Sequence, residues 1–117
     1  MNNARYLDAH VHLQDARLAS DLAEILSDCR RSGIACWVVN GTCETDWPKV
    51  RALASAHPDI APSFGLHPWK VASRSNDWLS KLEQELQQGA VGVGEIGLDR
   101  WIRGHDIQDQ KSVFLDQ

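Results

Sequence analysis

With 117 residues, and 16 acidic side chains against 12 basic ones, the chain holds enough polypeptide for one domain and carries a formal charge of −4. A pI near 5.6 excludes a protein that coats nucleic acid through bulk positive charge, and a hydrophobic share of 43% excludes a disordered chain. There is no run of about 18 apolar residues, and Met1-Asn2-Asn3-Ala4-Arg5 lacks the apolar core of a signal peptide, so no membrane contact and a cytoplasmic location are expected. Cys29, Cys36 and Cys43 are odd in number and widely spaced, which predicts reduced thiols acting as small buried hydrophobes.

In chain order, Tyr6 to Leu13 reads as a first strand and leads into a helix with Leu18, Leu22, Ile25, Leu26 and Cys29 on one face. Gly33 stands where a left-handed C-terminal cap is needed. Ile34 to Asn40 is continuously apolar and β-branched, which predicts a buried strand. Asp46 is placed to cap a second helix with Pro48 in its first turn, carrying Val50, Leu53 and Ala54 inward until His57-Pro58 ends it. A third strand spans Ile60 to His67. Its helix bears Leu79, Leu82 and Leu86 on one stripe and stops at Gly89. Ala90 to Leu98 reads as a fourth strand, and Asp106 as the cap of a last helix containing Val113 and Phe114.

The order βαβαβαβα predicts an α/β fold with a parallel sheet and right-handed crossovers. The polar residues near the strand ends, His12, Asn40, His67 and Glu95, follow one another at steps of 28, 27 and 28 residues. Such regularity suits a (β/α)₈ barrel better than a doubly wound sheet. A complete barrel needs roughly 250 residues, so residues 1–117 are expected to be its N-terminal half, about the first four βα units.

Asp8, His10 and His12 alternate along one strand, so all three leave the same face. His10 and His12 are therefore placed either to bind one metal ion or to rest in hydrogen bonds of their own. Asp8 on the same side is placed to accept a ring N–H and hold a histidine in its metal-binding tautomer. Glu95 is the sole charge in Val91 to Leu98. A carboxylate inside such a strand needs a cation, an ion pair or strong donors. Its position at a strand end, with His10 and His12, matches where barrel active sites form and favours a ligand role. Imidazole with carboxylate suits divalent ions such as Zn²⁺, Mn²⁺ or Mg²⁺. Gly92, Gly94 and Gly97 spell a Gly-x-Gly-x-x-Gly pattern inside a strand, with no helix opening at the third glycine, so no nucleotide cradle is predicted.

Leu7-Asp8-Ala9-His10-Val11-His12-Leu13, Phe64-Gly65-Leu66-His67-Pro68 and Gly94-Glu95-Ile96-Gly97-Leu98-Asp99, in that order, resemble the TatD family of metal-dependent hydrolases. The closing Gln110-Lys111-Ser112-Val113-Phe114 is similar to that family's Gln-x-x-x-Phe helix. The resemblance implies a TIM barrel with two divalent ions that hydrolyses phosphodiesters, typically as a 3′→5′ exonuclease on DNA. It places His10 and His12 on one metal and gives Glu95 a bridging, catalytic role. His67 is placed near the substrate phosphate or behind the ligands, although as a residue it also suits a turn before Pro68. Asp99 supports the loop. The family's remaining ligands, two histidines and an aspartate, have no counterpart in this sequence, and Arg100-Trp101 replaces the aromatic residue usual after Gly-Leu-Asp.

Lys70, Arg74, Arg100 and Arg103 fall in the loops on the same rim, and Trp69 and Trp101 there are placed either to stack on bases or to cover the barrel mouth. The expected partner is DNA or another phosphodiester. No stable protein partner is expected for the full-length form. Two other readings use the same residues: an amidohydrolase acting on an ester, lactone or amide, and a non-catalytic half barrel that pairs its open edges by self-association.

Overall fold

The computed structural model describes residues 5–117. Strand β1 spans Tyr6–Val11, β2 Ile34–Asn40, β3 Ile60–Phe64 and β4 Gly92–Val93; the helices are α1 Leu22–Arg31, α2 Trp47–Ala56, α3 Trp78–Gln87 and α4 Ile107–Asp116. The strands form one parallel sheet in the order β1-β2-β3-β4. Each strand lies beside its sequence neighbour, so the chain winds in one direction, as in a barrel, without the reversal of order that marks a doubly wound sheet.

Packing explains where the elements depart from the sequence expectations. Strand β2 is buried more deeply on one face than on the other. Trp37 and Val39 join Leu26, Trp47, Val50, Ile60, Phe64, Leu82 and Val113 in the core under the helices, while Cys36 and Val38 on the alternate face are half-buried. The cysteines are free and half-buried, less enclosed than expected. The predicted long first helix divides into a 3₁₀ turn at Ala16–Leu18 and α1, because Asp15 turns its carboxylate onto the Arg17 backbone N–H. Helix α3 directs Trp78 and Leu82, four residues apart, inward and leaves Leu79 exposed. On α4, Val113 is buried and Phe114 lies largely outside.

Strands β3 and β4 are shorter than predicted because their backbone turns to partners beyond the adjacent ladder. His67 N–H donates to Thr42 O at 2.8 Å, and Glu95 N–H donates to Gly41 O at 2.9 Å, so both loops cross toward the end of β2. The sheet's outer strands are open, with Leu7 59% and Val93 38% exposed.

Polar clamps join successive units. Arg51 of α2 caps the end of α3, donating to Glu85 O at 2.6 Å and to Gly89 O at 2.8 Å, with its guanidinium 4.6 Å from the centre of the Phe64 ring. Gln110 holds both backbone groups of Asp99: its amide N–H donates to Asp99 O at 2.9 Å, and its oxygen accepts from Asp99 N–H at 2.7 Å. Gln117 pairs with Leu66 in the same manner, at 3.4 and 2.6 Å.

Arg74 grips Asp109 by two N–H donors at 2.8 and 2.9 Å, tying the loop after β3 to α4. Those bonds hold the Asp109 carboxyl below its usual range. A value lowered by folding means that the pair's stabilisation is complete above about pH 4, the unfolded value, and is lost as pH falls through the lower folded one. Asp109→Asn is therefore expected to flatten the acid limb of the stability curve; urea midpoints at pH 5 and pH 2.5 measure the difference.

Candidate metal centre

The end of β1 and the segment after β4 bring three donors together. His10 and His12, two residues apart on an extended strand, place their Nε2 atoms 3.3 Å from each other with the rings nearly perpendicular, at 86°. Glu95 Oε2 lies 3.3 Å from His10 Nε2 and 3.1 Å from His12 Nε2. One ligand atom from each of the three residues falls within 4.8 Å of the other two, the compactness that a single ion requires.

The tautomer of His12 is fixed from behind. Its Nδ1 stands 2.8 Å from the carbonyl oxygen of Asn40, so Nδ1–H donates and the Nε2 lone pair is left facing Glu95. Gln14 donates to the same carbonyl at 2.8 Å. Asn40, from the 27–28-residue series, thus serves through its backbone, an assignment that no side-chain pattern discloses.

His67 is differently arranged. Its Nδ1 accepts the Trp69 backbone N–H at 3.0 Å, capping the 3₁₀ turn Pro68–Ser73. A neutral ring then carries its proton on Nε2, which stands 3.3 Å from Glu95 Oε1. His67 is a donor to the second carboxylate oxygen, where His10 and His12 address the first.

Glu95 is not inside a strand. It follows β4, its side chain is 26% exposed, and its position is set by backbone contacts. Ser63 Oγ donates to Gly94 O at 3.2 Å. Gly65 lies so close beneath that a Cβ there would stand 2.8 Å from Glu95 O, a distance only glycine avoids. Trp47 Nε1–H donates to Gly65 O at 2.9 Å, and its ring fills the space where a Cβ on Gly41 would lie.

Asp8 does not reach a ring nitrogen. Its Oδ1 accepts the His10 backbone N–H at 3.2 Å, a local turn contact. Asp99 stands apart from the trio, accepting from Trp101 N–H at 2.7 Å and from Trp69 Nε1–H at 2.7 Å; these bonds lower its carboxyl from the usual range. Asp46 precedes α2, but its carboxylate turns away from the helix to the loop before it, accepting from the N–H groups of Thr42 and Cys43 and from the Thr42 hydroxyl. On the rim, Trp101 is 95% exposed.

The sequence model for TatD related DNases matches residues 7–117. YjjV of Escherichia coli K12, named an uncharacterized metal-dependent hydrolase, is 30% identical over 114 residues, which span 95% of this chain and 43% of that protein. A 3′-5′ ssDNA/RNA exonuclease TatD from Pantoea ananatis is 30% identical over 106 residues, 87% of this chain and 41% of its own. The crystal structure of YjjV superposes with a TM-score of 0.89 at 27% identity, covering 96% of this chain and 44% of that one. The chain therefore spans less than half the length of the relatives it matches, and its four strands curl as half of a TIM barrel. With the family's sequence model matched over residues 7–117 and the same winding in the YjjV structure, the chain belongs to the TatD-related DNase family.

Proposed function

We propose that residues 1–117 form the N-terminal half of a divalent-metal phosphodiesterase, a 3′→5′ exonuclease that removes nucleotides from DNA ends. The observation that carries this reading is the convergence of His10 Nε2, His12 Nε2 and Glu95 Oε2 with the His12 tautomer set for coordination. The donor set of two imidazoles and a carboxylate fits Zn²⁺ or Mn²⁺, with Mg²⁺ drawn chiefly to the carboxylate. Bound there, divalent ions activate water and polarise a phosphoryl oxygen. His10 and His12 would hold one ion and Glu95 would be the bridging carboxylate; its Oε2 faces His10 and His12, and its Oε1 faces His67. His67, whose Nε2 stands 3.3 Å from Glu95 Oε1, would reach a phosphate oxygen by exchanging that carboxylate contact for it. Asp8 and Asp99 hold the backbone that presents these groups. The relatives named as exonucleases favour a nucleic-acid substrate over a lactone or amide.

The test compares Mn²⁺-dependent nucleotide release from single-stranded DNA with hydrolysis of a lactone panel. Release from DNA is expected; lactone turnover without it would overturn the nuclease assignment. The open strands β1 and β4 favour a second reading, in which this chain alone is an inactive half barrel that associates with itself. Size-exclusion mass with metal stoichiometry decides it, since a monomer binding two ions tightly contradicts that reading.

A further inference from the structure

Beside the trio lies an open cavity of about 340 Å³ with His12 on one wall and Thr42, Thr45, Lys49 and Lys70 on the others. A second hollow of about 120 Å³ adjoins it, sharing Cys43, Thr45 and Lys70, and extends the depression toward Ser73. Together they form a trough leading away from the metal ligands across the loops after β2 and β3.

The charges in the larger cavity are unequal in availability. Its two carboxylates are already engaged. Asp15 holds the Arg17 guanidinium at 2.7 Å, which depresses its carboxyl to about 2. Asp46 accepts from Thr42, Cys43 and Gln14. The two ammonium groups are not engaged: Arg17, Arg30, Arg51, Arg74 and Lys81 all sit in ion pairs, whereas Lys49 and Lys70 have none among the described residues. Asp15 is balanced by Arg17, and Asp46 keeps its charge but turns its oxygens onto the Thr42, Cys43 and Gln14 donors, so the two unpaired ammonium groups leave the depression with a surplus of one positive charge for its occupant. Lysine ammonium groups are compact point charges suited to phosphate oxygens, and the exposed Thr45 supplies a hydroxyl.

We infer that this trough is a subsite for the phosphate adjoining the scissile one on a single nucleic-acid strand. The inference rests on the phosphodiesterase reading and adds to it a substrate requirement: at least two consecutive phosphates, one at the trio and the next against Lys49 and Lys70. The trough is open along its length, so the strand continues past Lys70 toward Ser73.

The test titrates the 117-residue chain, with Mg²⁺ present, with the thymidine oligomers TpT and TpTpT, which carry one and two phosphodiesters, while amide NMR shifts are followed. TpTpT is expected to bind roughly tenfold more tightly at low salt, shifting Thr42, Cys43, Thr45 and Lys70. In the double variant Lys49→Ala/Lys70→Ala that advantage is expected to vanish and the salt slope to fall by about 1. An unchanged amide spectrum elsewhere shows the variant folded. Equal affinities for TpT and TpTpT, or an advantage that survives in the variant, overturns the subsite. Inorganic phosphate producing the same shifts at equal affinity overturns the strand requirement. The two readings fail separately: lysine-dependent TpTpT binding without nucleotide release from DNA retires the nuclease alone, whereas nucleotide release with a KM untouched by the lysine changes retires the subsite alone.

Discussion

Glu95→Gln is expected to weaken divalent-ion binding by roughly 100-fold or more and to abolish metal-dependent nucleotide release. The change keeps the volume of the side chain and leaves an oxygen for His67, but it removes the charge that balances a divalent ion. Losing a tuning partner behind a ligand costs about 10–100-fold in affinity, and losing the sole carboxylate among three clustered donors should cost more. The fold should be indifferent, because Glu95's backbone, not its carboxylate, makes the bonds that hold the segment. Mn²⁺ titration followed by electron paramagnetic resonance, together with a thermal melt, separates the two effects. Wild-type affinity in the variant would remove Glu95 from the ligand set.

Trp47→Ala should have the largest effect on stability. The side chain is 2% exposed, its ring packs over Gly41, and its indole N–H satisfies the Gly65 carbonyl. Truncating a buried aromatic of this size costs about 3–5 kcal/mol, against a total of about 5–15 kcal/mol for an ordinary domain. Trp47→Phe keeps most of the ring and orphans one buried carbonyl, for about 1–3 kcal/mol. Urea midpoints of the two variants measure the ring and the hydrogen bond separately. Because Gly65 lies in direct backbone contact with Glu95, the Phe variant is also expected to lower metal affinity, although Trp47 touches no donor.

The elements that the sequence disclosed are those whose pattern is local. Strand β2 occupies Ile34–Asn40 as its apolar run predicts, and α2 begins after Asp46 and ends at His57-Pro58. Alternation along β1 placed His10 and His12 on one face, and the spacing of strand ends put Glu95 near them. What remained hidden depends on partners distant in sequence. The shortening of β4 follows from Glu95 N–H choosing Gly41 O, and the uneven burial of β2 follows from helices packing against the Trp37 and Val39 side alone among the described residues. Asp8 and Asp46 carry the expected residue type, but each found a backbone N–H nearer than the target that periodicity suggested. Asn40 holds His12 through a carbonyl, a group that every residue possesses and no motif marks.

Gln110 of α4 and Gln117, which caps it, give that helix the character of a gauge. Gln110 and Gln117 are seven residues apart, two turns of helix, so they project from one side and each replaces a missing peptide neighbour for a loop residue, Asp99 after β4 and Leu66 after β3. Two such rungs on one rigid rod fix the interval between the loops that carry Glu95 and His67. An apolar seam tolerates sliding by a fraction of a turn; these amides do not, since rotation by a single residue, about 100°, releases both at once. Helix α4 thus sets the separation of two site loops without contributing an atom to the candidate metal centre, and the seven-residue interval from Gln110 to the capping Gln117 is the dimension to preserve when its outer face is redesigned.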